Sequence, residues 1–143
     1  MKIIKYEEKY RDDMIFMILE AKNAIGRVPG LNEDLLDIQK NYLEKGDMFW
    51  LAIDDNDRVI GSIAYHSVKD TEVVWLHRLF VKFNLKRQGI GSELLQIAEQ
   101  YIRKQGKKCV KVHLGGDDWT ESRAFYPKHG YVEYQEQYMM KKL

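Results

Sequence analysis

Residues 86–100 read KRQGIGSELLQIAEQ, with two glycines one residue apart directly before a strongly amphipathic run. Glycine is a poor helix former, so its presence twice where a helix must begin needs a reason. The start of a helix leaves several backbone N–H groups without intrahelical partners, and the helix dipole adds positive character there. An anion reaches those groups only where no side chain stands in the way. Gly89 and Gly91 supply bare backbone and freedom for positive φ, while Lys86 and Arg87 add charge beside them. Two readings fit: a phosphate cradle, or a strand-to-helix turn that uses glycine for geometry alone. Two other phosphate motifs do not fit. There is no GxxxxGK[ST], and GxGxxG fails because position 94 is Leu.

Working outward, the run after the glycines carries apolar Ile90, Leu94, Leu95, Ile97, Ala98, Tyr101 and Ile102, with Arg103 and Lys104 suited to a last turn and Gly106 to its end. Before it, EVVWLHRLFVKF (72–83) is long and rich in Val, Leu, Trp and Phe, which predicts a central strand. MFWLAI (48–53) and RVIGSIAYHSV (58–68) flank the polar DDND and predict a hairpin. Upstream, Lys2–Tyr6 reads as a strand. Residues 8–23 read as a helix on Met14, Ile15, Met17, Ile18 and Ala21, and 24–31 as a loop. Asn32 is the expected N-cap of a second helix that carries Leu35, Ile38 and Tyr42 and ends at Gly46. Downstream, CVKVHL (109–114) predicts a strand, followed by a GGDD loop, a short helical segment near Glu121–Tyr126 and two short strands meeting near Glu136. The order is β, α, α, β, β, β, α, β, α, β, β, a mixed α/β class. No linker composition or repeat divides the chain, so one domain over 1–143 is expected.

Lys plus Arg number 23 and Asp plus Glu 22. That balance gives no general pull toward nucleic acid or an anionic membrane, and neither is expected as a partner. Cys109 is the only cysteine, so no intrachain disulfide forms. The opening MKIIKYEEKYRDD lacks the apolar core of a signal peptide, and MIFMIL (14–19) is too short to span a bilayer. The expected location is the cytoplasm. The histidines and Cys109 show no close ligand spacing, so no metal is expected.

The segment LFVKFNLKRQGIGSELL resembles the signature of the GNAT N-acetyltransferase superfamily, in which a strand leads through a [Q/R]-x-x-G-x-[G/A] loop into a long helix. SRAFYPKHGY resembles a second family segment, A-x-x-[F/L]-Y-x-x-x-G-[F/Y], with Phe125, Tyr126, Gly130 and Tyr131 in the matching places. The chain departs from these patterns with Lys86 for Gln or Arg, Ser122 for Ala, Trp119 where many members carry Asn, and Pro127 directly after the tyrosine. The resemblance implies a mixed, mostly antiparallel central sheet of about six or seven strands. Helices would cover both faces, and the sheet would splay between the fourth and fifth strands. It further implies that Lys86, Arg87, Gln88, Gly89, Ile90, Gly91 and Ser92 bind the pyrophosphate of acetyl-CoA, and that the backbone of Leu79, Phe80 and Val81 meets its pantetheine arm. Homodimers are compatible with the resemblance.

The implied reaction is attack of an amine on the thioester. An alkyl ammonium has a pKa of about 10.4, so a proton must leave before attack. His77 is the first candidate base: it lies four residues before Val81 and titrates near neutrality. A structural histidine is the competing reading, and Glu72, Asp117, Asp118, Glu121 or a water chain are rivals for the role. Tyr126 matches the family's general acid, and a phenol can protonate the departing thiolate; a core aromatic is the alternative. The acceptor is expected to be set by residues 20–45, the hairpin and the C-terminal strands, with a small-molecule amine favoured over a protein. Trp50, Tyr65, Trp75 and Trp119 would line its wall or fill the core, and Glu33, Asp34, Asp117, Asp118 and Glu121 would attract a cation or face solvent. Two other functions stay open: a non-catalytic acyl-CoA sensor or scaffold, and a phosphate-binding α/β domain of another family.

Overall fold

Alternation along the hairpin strands sorts the core into two layers. The computed structural model describes residues 1–115 and 120–143. In β2 (Met48–Ile53), Phe49, Leu51 and Ile53 face one side of the sheet, while Trp50 and Ala52 face the other. The first side packs on Met14, Met17 and Ile18 of α1 (Arg11–Ala24). The second packs on Ile90, Leu94, Leu95, Ala98 and Ile102 of α3 (Ile90–Lys104). Helices therefore cover both faces.

The remaining strands are β1 (Lys2–Lys5), β3 (Val59–Ser67), β4 (Val73–Val81), β5 (Cys109–His113), β6 (Val132–Gln135) and β7 (Tyr138–Lys142). They form one seven-stranded sheet in the order β1-β2-β3-β4-β5-β7-β6. EVVWLHRLFVKF supplies the central strand, as its composition predicts. Pairing is antiparallel except between β4 and β5. That parallel pair joins only Val73–Trp75 to Cys109–Lys111, after which the strands part. This is the splay the resemblance implies, between the fourth and fifth strands.

The stretch 33–45 departs from expectation. It is not one helix but a 3-10 turn (Glu33–Leu36), a single α-turn α2 (Ile38–Asn41) and another 3-10 turn (Leu43–Lys45). Asp37, at φ −144°, breaks the run and caps the second piece by accepting from the Lys40 N–H at 3.0 Å, whereas Asn32 holds the N-cap position of the first turn without a side-chain capping bond. Gly46 ends the segment in a left-handed turn, as expected. Trp50 and Tyr65 are core residues at 4 % and 1 % exposure. Cys109 is half-buried. Among the described residues, no helix is long and apolar enough to cross a membrane.

Gly61 fixes how closely α3 approaches the sheet. A Cβ there would lie 2.9 Å from Leu94 Cδ1, 3.2 Å from Ile90 Cγ2 and 3.3 Å from the Phe80 carbonyl. The two side chains belong to the first turns of α3, so the missing methyl lets the mouth of the helix settle beside the end of β4. Gly61→Val is expected to cost about 1–3 kcal/mol of stability through overpacking, read as a lower urea midpoint at unchanged m-value.

Candidate active site

Three segments converge on a cleft of about 890 Å³: the end of β4, the mouth of α3, and α4 (Thr120–Phe125) with the 3-10 turn Tyr126–His129. Leu79, Phe80, Val81, Lys86, Arg87, Gly89, Ile90, Gly91, Ser92 and Tyr126 all line it. Gln88 and His77 do not. Lys128 and His129, which the sequence reading did not single out, also line it. Their only signal was their place between Tyr126 and Gly130.

Gly89 caps α3 at φ +84°, where an L side chain is strained, and a Cβ there would meet nothing within 4 Å. The turn thus needs glycine for its geometry, and the space in front of it is open. The first closed helical bond runs from the Glu93 N–H to the Gly89 carbonyl at 3.0 Å. The N–H groups of Ile90, Gly91 and Ser92 therefore have no intrahelical partner. A Cβ on Gly91 would sit 3.4 Å from the Phe125 ring and 3.6 Å from Val81, an ordinary contact. Two side-chain bonds cross the cleft: Lys86 Nζ to Glu121 Oε2 at 2.8 Å, and Ser92 Oγ to His129 Nε2 at 3.1 Å.

Beyond Trp75, the β4 edge that faces β5 has no strand partner among the described residues. An extended, amide-rich chain can add to such an edge. A bulge marks the same stretch: Ala64 pairs with His77 and Ser62 with Phe80, so Arg78 and Leu79 together oppose Ile63.

Tyr126 is buried at 7 % exposure, its ring edge-on to Phe125 (5.3 Å) and Tyr131 (5.2 Å). Among the described residues its hydroxyl has no hydrogen-bond partner. Burial raises its pKa, so the phenol stays protonated through the neutral range. His77 lies against His66 at 4.7 Å between ring centroids, and His66 Nδ1 is 2.9 Å from Asp47. Burial, reinforced by His66 and Arg78, pushes His77 down to about 4. Asp34 is half-buried and bound by Arg78, whereas Glu121 is exposed and pairs with Lys86 at the surface. Glu72 pairs with Lys108 at 3.6 Å, before the first residue of β4. Asp117, Asp118 and Trp119 lie outside the described residues. No group of three or more His, Cys, Asp or Glu among the described residues is placed to hold a metal.

A sheet splayed beside a glycine-opened helix mouth, with a tyrosine facing the gap, defines a class: the acyl-CoA-dependent acetyltransferase fold. The family model described as "Acetyltransferase (GNAT) family" matches residues 9–131, and the chain belongs to that family. N-acetyltransferase family 8 member 2 of Rattus norvegicus is 36% identical over 111 residues, covering 75% of this chain and 47% of the relative. N-acetyltransferase 8 of Homo sapiens is 36% identical over 87 residues, 57% of this chain and 38% of the relative. The chain thus spans less than half the length of these curated relatives. A GNAT-family acetyltransferase of Staphylococcus aureus Mu50 superposes with a TM-score of 0.88 at 23% identity, covering 99% of this chain and 98% of that one.

Proposed function

We propose that this chain is an acetyl-CoA-dependent N-acetyltransferase that moves an acetyl group to a primary amine, with a small-molecule acceptor. The observation that carries this reading is the meeting, in one cleft, of helix-start amides without intrahelical partners, a strand edge that β5 leaves beyond Trp75, and a tyrosine hydroxyl with no hydrogen-bond partner among the described residues. When bound, acetyl-CoA supplies an activated thioester and a thiolate leaving group. The amides of Ile90, Gly91 and Ser92 would hold its pyrophosphate, with Lys86, Arg87 and Gln88 at the loop. The cleft fits that demand: the space before Gly89 is open and the helix dipole favours an anion. The backbone of Leu79, Phe80 and Val81 would align the pantetheine arm along β4, and a main-chain N–H there would stabilise the oxyanion. Tyr126 would give its proton to the departing sulfur. Residues 1–143 would act as one cytoplasmic domain, without a metal and away from nucleic acid and membranes. In its favour stand the near-balanced charge and the apolar lining from Ala21 of α1 and Ile25 just after it. Either a monomer or a homodimer satisfies it.

His77 is the proposed base; it does not line the cleft, so it would take the proton through a water, and its depressed pKa keeps it neutral at pH 7. The sign follows: kcat falls only as pH drops toward about 4, with no histidine limb near pH 6.5. His77→Gln is expected to remove that acid limb. An unchanged profile would transfer the role to water.

The test is direct. Thiol release from acetyl-CoA is followed with a broad panel of small amines and with amine-bearing peptides. Turnover with a small amine supports the reading. CoA binding without turnover across the panel favours a sensor or scaffold, and stabilisation by ATP or NAD but not CoA favours another phosphate-binding class.

A further inference from the structure

Arg78 is a non-glycine residue in the middle of β4 with φ +58°. Left-handed backbone within a strand is strained, and such strain persists where the surroundings over-determine it. Three ties do so. The Ser62 hydroxyl, fully buried on β3, donates to the Arg78 carbonyl at 2.7 Å. The Arg78 guanidinium grips Asp34 with both arms, Nε to Oδ2 at 3.0 Å and Nη2 to Oδ1 at 2.8 Å. Tyr42 then donates to Asp34 Oδ2 at 2.6 Å. Burial works to raise the Asp34 carboxyl, but bonds from Arg78 and Tyr42 outweigh it and hold the group below its ordinary range. The carboxylate is thus permanently charged at neutral pH and the fork stays closed. Asp34 lies in the turn 33–36, which packs beside α1, so the ties anchor the bulge to the layer covering the opposite face of the sheet from α3.

The bulge lies where β4, still paired with β3, becomes the wall of the cleft, with Leu79 the next residue. We infer that Arg78 is a positioning residue: through its fork on Asp34, with Ser62 as the second tie, it holds the β4 bulge in the register that aligns the Leu79–Val81 backbone with the thioester. This rests on the transferase reading and extends it to residues outside the cleft. The guanidinium itself touches no reacting atom. Its geometry matters because a bidentate planar fork fixes orientation as well as distance, which a lysine ammonium does not.

Arg78→Lys, Asp34→Asn and Ser62→Ala are compared with the parent chain in thiol-release kinetics, CoA affinity, thermal stability and amide hydrogen exchange of residues 77–81. The expected result is a drop in kcat of tenfold or more in each variant, CoA affinity within twofold of the parent, and exchange at Leu79–Val81 at least tenfold faster while β2 amides are unchanged. The swap Asp34→Arg with Arg78→Asp is expected to recover part of kcat, because aspartate tolerates positive φ and the ion pair re-forms. The inference is overturned if stability falls but kcat stays within twofold of the parent, or if kcat and CoA affinity fall together. Should the parent chain show no turnover with any amine, the transferase reading fails separately. Hydrogen exchange then decides the bulge: unchanged exchange at Leu79–Val81 in all three variants overturns the positioning role.

Discussion

Replacing Tyr126 by phenylalanine is expected to lower kcat by about 10²–10³-fold, within the range attributed to a lost general acid, while CoA affinity stays within twofold. The two effects separate because the ring and the hydroxyl do different things. The ring packs edge-on between Phe125 and Tyr131, and phenylalanine preserves that packing. The hydroxyl has no partner among the described residues, so its removal strands no buried donor or acceptor, and stability should change by less than about 0.5 kcal/mol. A thiolate leaving without a proton carries the full penalty of its charge, so the loss appears in turnover. Acetyl donors built on better-leaving thiols should narrow the gap. Equal turnover in the parent and the variant would remove Tyr126 from the chemistry.

Gly91→Asp should act on the opposite parameter. A carboxylate in the first turn of α3 suits the dipole by about 0.3–1 kcal/mol. Its Cβ would rest at ordinary contact distance from Phe125 and Val81, so the fold should be retained or slightly stabilised. The same carboxylate stands where a pyrophosphate would dock. Two like charges about 4 Å apart repel by about 4 kcal/mol at an effective dielectric of about 20. CoA dissociation constants are therefore expected to rise by about 100-fold or more, measured by calorimetry beside an unchanged or higher melting temperature. A variant that binds CoA as tightly as the parent would place the anion elsewhere.

How much could be read beforehand depended on how local the cause was. The mouth of α3 was legible because its glycines, basic residues and amphipathic run lie within one short stretch. The hairpin was legible because two apolar, β-prone runs, 48–53 and 58–68, flank the polar DDND. The segment 33–45 was misread for a physical reason: Leu35, Ile38 and Tyr42 share a burying face both in a continuous helix and in three successive tight turns. Non-helical backbone at Asp37 and again at Tyr42 separates the two. The bulge at Arg78 left no trace in its own neighbourhood. Its conformation is set by Asp34, distant in sequence, and by a serine on the adjoining strand. His77 reads as a neutral-range titrating group from its type alone. The burial and the neighbouring imidazole that lower it come from β3 and the covering layer.

The brief junction of β4 with β5 has a consequence for the lifetime of the protein. With only Val73–Trp75 bridging to Cys109–Lys111 among the described residues, the sheet is two leaves sharing a narrow seam. Under the proposed reading, the co-substrate would fill the wedge between them and act as a strut as well as a reagent. By mass action, free ligand at a hundred times its dissociation constant adds about 2.7 kcal/mol of resistance to unfolding. Abundance of this chain in a cell would then rise and fall with the acetyl-donor pool, through survival against proteolysis, with no dedicated regulator involved.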